Sequence, residues 1–145
     1  MRWRRILGRS ALVGVGALLV MQLVPYGWRH PNPAVTGEPA WPSTEAEQLF
    51  DAACADCHSN ETDWPIYSYV APMSWLVRYD VERGREDFNI STWDDDDGEA
   101  GDAAETIEEG SMPPRQYTLL HPDARLSDAE KQVLIDALEQ IDRAR

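Results

Sequence analysis

Both cysteines of this 145-residue chain lie in one pentapeptide, Cys54-Ala55-Asp56-Cys57-His58. No other local pattern restricts the fold as much. The spacing is that of c-type haem attachment. Two thiols three positions apart can meet the two vinyl groups of one haem and form thioethers, and the adjacent imidazole then ligates the iron from the proximal side. A shuffled chain of this composition gives the pattern roughly 3 times in 10,000, so coincidence is a weak explanation. Three other uses of these residues compete with it. A thioredoxin-type redox pair belongs in an α/β pattern, which is absent. A disulfide would close too short a loop to constrain the chain. Zinc would need a fourth ligand, and His58 directly after Cys57 is poor finger spacing.

Charge and composition narrow the field further. Hydrophobic residues make up 43% of the chain and charged residues 27%, so one packed domain is affordable in length and composition. The net charge of -13 argues against nucleic acid, which needs a basic face. The charge is also uneven. Five arginines (Arg2, Arg4, Arg5, Arg9, Arg29) precede the first acid, Glu38, and the remainder carries 8 bases against 26 acids. A basic tip before an acidic body reads as an anchoring or targeting segment ahead of a separate domain.

From Ser10 to Val24 the chain reads SALVGVGALLVMQLV. Extended through Pro25–Trp28, this stretch approaches the ~20 residues of a membrane-spanning helix. Tyr26 and Trp28 suit the outer interface, and the arginine bias places the N-terminus in the cytoplasm and the body outside. A cleaved signal peptide is the alternative, but no small-x-small cleavage site follows the run. Residues 1–29 are therefore expected to be a basic tip and membrane anchor or signal peptide. Residues 30–41, rich in proline, form an extended linker, and 42–145 form the domain.

The domain is expected to be all-α. Thr44 and Glu47 form a capping box for a first helix whose face includes Ala46, Leu49, Phe50, Ala53, Cys54 and Cys57. Asn60–Pro65 breaks it. A second helix starts at Pro72 and runs to about Gly84, with Met73, Leu76, Val77 and Val81 as its stripe. Asp94–Asp97 reads as a solvated loop or helix start, since it lacks the ligand alternation of a calcium loop. Ala103–Glu109 is a third helix stopped by Gly110. The last helix opens with the Ser127/Glu130 capping box, and its stripe of Val133, Leu134, Ala137, Leu138 and Ile141 is matched by that of the first helix.

Electron transfer at a haem iron usually uses a second axial ligand. Met112, in Gly110-Ser-Met-Pro-Pro114 after a helix stop, is the preferred candidate, because the prolines stiffen its loop. Met73 sits on a helical stripe and suits packing, His121 suits capping or a propionate, and His30 belongs to the linker. Trp64, Tyr67, Tyr69, Trp75 and Trp93 are candidates to wall a haem pocket, and Arg78, Arg83 and Arg85 to meet its propionates.

Several stretches carry a family resemblance: Cys54-Ala-Asp-Cys-His-Ser-Asn-Glu-Thr-Asp-Trp-Pro, Tyr67-Ser-Tyr-Val-Ala-Pro-Met-Ser-Trp-Leu-Val, Glu82-Arg-Gly-Arg85 with Asn89-Ile-Ser-Thr-Trp93, Gly110-Ser-Met-Pro-Pro114, and Leu120-His-Pro-Asp-Ala-Arg-Leu126. Together they resemble the bacterial haem-binding domain family of cytochrome-c-like proteins, over roughly residues 41–141. The resemblance implies a small α-helical cytochrome c fold around one covalent haem c. It implies thioether roles for Cys54 and Cys57, proximal ligation by His58, distal ligation by Met112, and an N-terminal membrane segment. Ser111, Met73 and the long acidic segment from Asp94 to Asp102 depart from the family's pattern. The expected function is single-electron transfer, rather than enzymatic turnover, at the outer face of the cytoplasmic membrane. Expected partners are the cytochrome c maturation machinery and a redox protein with a basic face. A haem-based sensor or peroxidase-like protein, with a labile sixth ligand, is the second reading. A haem-free thiol or metal site is the third.

Overall fold

The computed structural model describes residues 2–94 and 100–144, and it is helical as expected. In chain order the elements are α1 (Arg2–Met21), α2 (Thr44–Ala53), α3 (Ala55–His58), a 3-10 turn (Ile66–Tyr69), α4 (Met73–Asp87), α5 (Ala100–Glu108), α6 (Arg115–Leu120), a 3-10 turn (Pro122–Ala124) and α7 (Asp128–Arg143). Among the described residues the β pairing is confined to one parallel bridge between Gly37 and Thr92. Of the acidic run Asp94–Asp97, only Asp94 is described, and it is exposed; the rest lies outside the described residues.

The chain forms two compact units. Unit 1 is Met1–His30 with Trp64–Asp80, and unit 2 is Pro31–Asp63 with Val81–Arg145. In unit 2, α7 begins with the expected capping box. Ser127 Oγ accepts from Glu130 N at 3.3 Å, and Glu130 Oε2 accepts from Ser127 N at 2.7 Å. Its stripe is buried at Leu134, Ala137, Leu138 and Ile141, with Ile135 added. Val133 is only half-buried. The main partner of α7 is α5, whose small Ala100 and Ala104 let the helices approach, and α2 comes second. Phe50, Phe88 and Ile90 complete the core. Leu134 and Leu138 are sealed from solvent, and each contributes about 2 kcal/mol of apolar burial. Gly110, at φ +73°, ends α5 as predicted.

The first domain helix departs from expectation twice. Its cap is Ser43, one residue earlier than Thr44. Ser43 has the extended backbone a cap needs, and its side chain accepts from Ala46 N at 3.1 Å. The frame therefore places Ala46, not Glu47, at the third position, and the expected Thr44/Glu47 box does not form. The helix also breaks inside the pentapeptide. Cys54 still donates to Phe50 O at 2.8 Å, but its φ of -128° leaves the helical region. Cys57 N and His58 N then both return to Cys54 O, at 3.1 and 2.9 Å, so α3 is a separate turn wound on that carbonyl. Further on, α4 runs past Gly84 to Asp87, and α6 was not expected.

The stretch expected as a free linker is extended but tied into unit 2. Thr36 N donates to Ser91 O (2.9 Å), Trp93 N to Gly37 O (3.2 Å), and Asn60 Nδ2 to Ala34 O (3.0 Å). Backbone groups left over by an extended chain find partners here, which proline-rich composition alone does not reveal.

The expected membrane span is also corrected. α1 begins at Arg2, so its arginines are within the helix, and it ends at Met21. The uncharged helical part from Ser10 rises only about 18 Å at 1.5 Å per residue, against a hydrocarbon core of about 30 Å. Among the described residues no helix is long and apolar enough to cross a membrane. The chain leaves the helix at Gln22, whose amide pairs reciprocally with one backbone unit. Nε2 donates to Ala71 O (3.0 Å), and Oε1 accepts from Ala71 N (2.9 Å). The only amide in the apolar run is thus a clamp between two segments of unit 1.

Candidate functional site

The three residues of the motif share α3 and its edges, and α4 holds them in place. His58 Nδ1 lies 2.9 Å from the carbonyl of Phe88, just past the end of α4. A carbonyl only accepts, so Nδ1 carries the proton and Nε2 keeps its lone pair. Burial lowers the His58 pKa below the usual imidazole value, although the Phe88 and Gly84 carbonyls oppose it. The ring is therefore neutral near pH 7, the form that ligates a metal.

Cys57 is fixed by the close approach of α4. A Cβ on Gly84 would lie 2.5 Å from Cys57 O and 3.0 Å from Cys57 Cβ. Only a residue without a side chain admits this contact. Neither cysteine is in a disulfide, and both are half-buried. Burial, reinforced by Cys57 and then Asp51, pushes the Cys54 thiol up to about 12. Among the described residues no three His, Cys, Asp or Glu side chains gather as a metal site.

Met112 is half-buried and packs against the same apolar core as Cys54. Ser111 N and Met112 N both donate to Thr106 O, at 3.1 and 3.2 Å, which folds the loop back onto the end of α5. The other ligand candidates lie elsewhere. Met73 opens α4 within unit 1. His30 lies within hydrogen-bond distance of Ser68 O, at 3.0 Å, and packs on Trp64 and Tyr69.

His121 belongs to a cluster that sequence reasoning missed. It stacks on Tyr117 with ring centres 4.0 Å apart, and its Nδ1 is 3.9 Å from Asp56 Oδ2. Tyr117 donates its hydroxyl to Asp56 Oδ2 at 2.8 Å. Burial and then this bond to Asp56 raise the Tyr117 pKa, so the phenol stays protonated and donates. Asp56 Oδ1 in turn accepts from Asp63 N at 2.9 Å. The residue between the cysteines thereby links the motif to α6, which follows the Met112 loop. The available signals were an acid inside the pentapeptide and an aromatic four residues before a histidine on one helix face.

The three arginines that were candidates for propionates make contacts within the protein. Arg85 donates from Nε to Ser59 O (2.7 Å), from Nη1 to Pro31 O (2.9 Å), and from Nη2 to Thr62 Oγ1 (2.9 Å) and Asn32 Oδ1 (3.2 Å). Arg83 pairs with Glu86 at 2.9 Å, and Arg78 reaches Arg29 O at 3.3 Å. Trp93 packs on the core of unit 2, and Trp75 keeps a buried Nε1 without a hydrogen-bond partner in unit 1.

Beside Ala55 and Asp56 opens a cavity of about 400 Å³. Glu38, Glu47, Asp51, Glu61 and Asp63 line it, together with Trp41 and Phe50. Burial, followed by repulsion among these carboxylates, raises the pKa of Glu38 and Asp51. The face next to the motif is thus strongly acidic.

Over 143 aligned residues the chain is 24% identical to a cytochrome c peroxidase, Ccp, of Escherichia coli (strain K12); the alignment covers 88% of this chain but 31% of that protein. The chain thus spans less than a third of this relative's length. No solved structure gives a significant match. The model of the haem-binding domain family matches residues 16–140. With that match over most of its length, the chain belongs to the haem-binding domain family.

Proposed function

We propose that unit 2 carries one covalent haem c and passes single electrons on the outer side of the cytoplasmic membrane. The observation that carries this reading is the His58–Phe88 bond, which presents Nε2 of a neutral imidazole immediately after two cysteines that form no disulfide. The residues fit the group. Cys54 and Cys57 would hold its two vinyl-derived carbons, His58 the proximal position of the iron, and Met112 the distal one. Bound haem supplies a reversible one-electron change at iron whose potential follows the axial ligands and burial.

This chain's own residues do the rest. Phe88 O fixes the tautomer of His58, and Gly84 sets the distance between α4 and the motif. Asp56 ties the motif to α6, and Thr106 O holds the methionine loop. The acidic cavity wall supports a partner with a basic face, whose approach it would steer. Cytochrome c maturation machinery would load the thiols. The arginine-rich start of α1, followed by apolar residues, supports export and contact of α1 with the membrane.

The name of the Escherichia coli relative supports a second reading, peroxidase-like turnover at an iron with a labile sixth position. Carbon monoxide distinguishes the two. The ferrous wild-type protein is expected not to bind it at neutral pH, and Met112→Ala is expected to bind it rapidly. Rapid binding by the wild type would overturn electron transfer with Met112 ligation and favour the peroxidase-like reading.

A further inference from the structure

The two units differ sharply in charge. Unit 1 contains six arginines and one acid, Asp80. Unit 2 contains seven bases and 25 acids. Unit 1 also presents large apolar side chains to solvent. Those of α1 include Leu12 and Leu19. A second set lies outside α1. Ile66 is 88% exposed, Tyr69 61%, Val70 56% and Trp28 59%, and Tyr26 is also exposed. Isolated exposed apolar residues need no explanation, but a concentration of aromatic and branched ones does.

These residues are joined to the end of α1 by specific contacts. The Gln22–Ala71 pair places Val70 beside the last turn of α1. Gly27 approaches Ser74 so closely that a Cβ would meet its carbonyl at 2.5 Å, which fixes Tyr26 and Trp28 against the start of α4. Arg78 donates to the backbone carbonyl of Arg29 at 3.3 Å, so this segment carries two arginines. Apolar tips, a Trp and Tyr pair and neighbouring arginines are the chemistry of the lipid headgroup layer.

We propose that the 3-10 turn Ile66–Tyr69, with Val70, Tyr26 and Trp28, rests in the interfacial layer of an anionic bilayer. Arg29 and Arg78 face the lipid phosphates, and the acidic unit 2 is disfavoured at the same surface. The inference rests on the reading of α1 as membrane-facing, and it adds a second, non-helical contact that orients the protein on lipid.

The test uses the full-length protein with the photoreactive residue p-benzoylphenylalanine at one position: Ile66, Leu19 in α1, or Asp123 in unit 2. Each protein is mixed with vesicles of phosphatidylglycerol and phosphatidylcholine and irradiated, and lipid adducts are measured by mass spectrometry. Adducts at positions 66 and 19, and a yield at 123 about tenfold lower, are expected. Replacing phosphatidylglycerol by phosphatidylcholine should lower the yield at 66 at least about tenfold, because the attraction of the arginines to anionic headgroups is lost. Adducts at 19 without adducts at 66 would overturn this proposal while leaving α1 on the membrane. Adducts at neither would overturn both. Equal yields on neutral vesicles would overturn the anionic lipid, and protein adducts at 66 in native membranes without lipid adducts would replace lipid with a protein partner.

Discussion

Changing Cys54 and Cys57 together to alanine is expected to abolish all haem that survives denaturation. The wild-type chain, expressed with a cytochrome c maturation system, should keep its haem colour on a denaturing gel. The two single variants should each retain part of it, because one thioether still holds the group. The expectation follows from the state of the thiols. Burial, with Cys57 and Asp51 nearby, raises the Cys54 pKa, which disfavours a resting thiolate there. The turn around Cys54 O keeps both thiols on one short segment with His58. Colourless wild-type protein with two alkylatable thiols would sink the covalent reading. So would colour that persists in the double variant.

The second large effect is expected at Gly84. Glycine within a helix costs about 0.5–1 kcal/mol relative to alanine, so Gly84→Ala would stabilise α4 if nothing opposed it. The new Cβ would instead fall 2.5 Å from a backbone oxygen of Cys57. A backbone atom cannot swing aside as a side-chain tip can, and overpacking of this kind costs about 1–3 kcal/mol. The clash is expected to win by about 1 kcal/mol, lowering the melting temperature by about 3 °C and reducing haem incorporation. Gly14→Ala is the control: that glycine is also helical and has nothing within 4 Å of a built Cβ, so stability should hold or rise slightly. A Gly84→Ala protein as stable as the control would show that the close approach relaxes freely.

Those two sites illustrate what a sequence can and cannot disclose here. Cys54, Cys57 and His58 are adjacent, and their chemistry is set by spacing alone. The Ser127 box and the stripe of α7 were legible for the same reason, since capping and helical period are local. Gly84 looked like a helix end, because its real constraint is a carbonyl 27 positions away. Asp56 looked like filler between cysteines until Tyr117, 61 positions on, donated to it. Gln22 stands in the apolar run Ser10–Val24, and the pairing of its amide with Ala71, 49 positions on, is not visible there. Ser43 and Thr44 are both good caps by composition, and only backbone geometry decides between them. Local patterns are visible in order along the chain; pairings across it depend on the finished fold.

Arg85 has a consequence for how this protein opens. One guanidinium holds three separate stretches: the entry of unit 2 at Pro31 and Asn32, the segment after the motif at Ser59 and Thr62, and α4 itself. Planar, forked donors engage several acceptors at once in a way an ammonium does not. Those stretches therefore have no independent way to detach. In hydrogen-exchange terms, amides at the entry and amides after the motif should become exposed in one shared event, with a common opening free energy. The chain downstream of the haem motif is locked by the same key as the chain leading into unit 2.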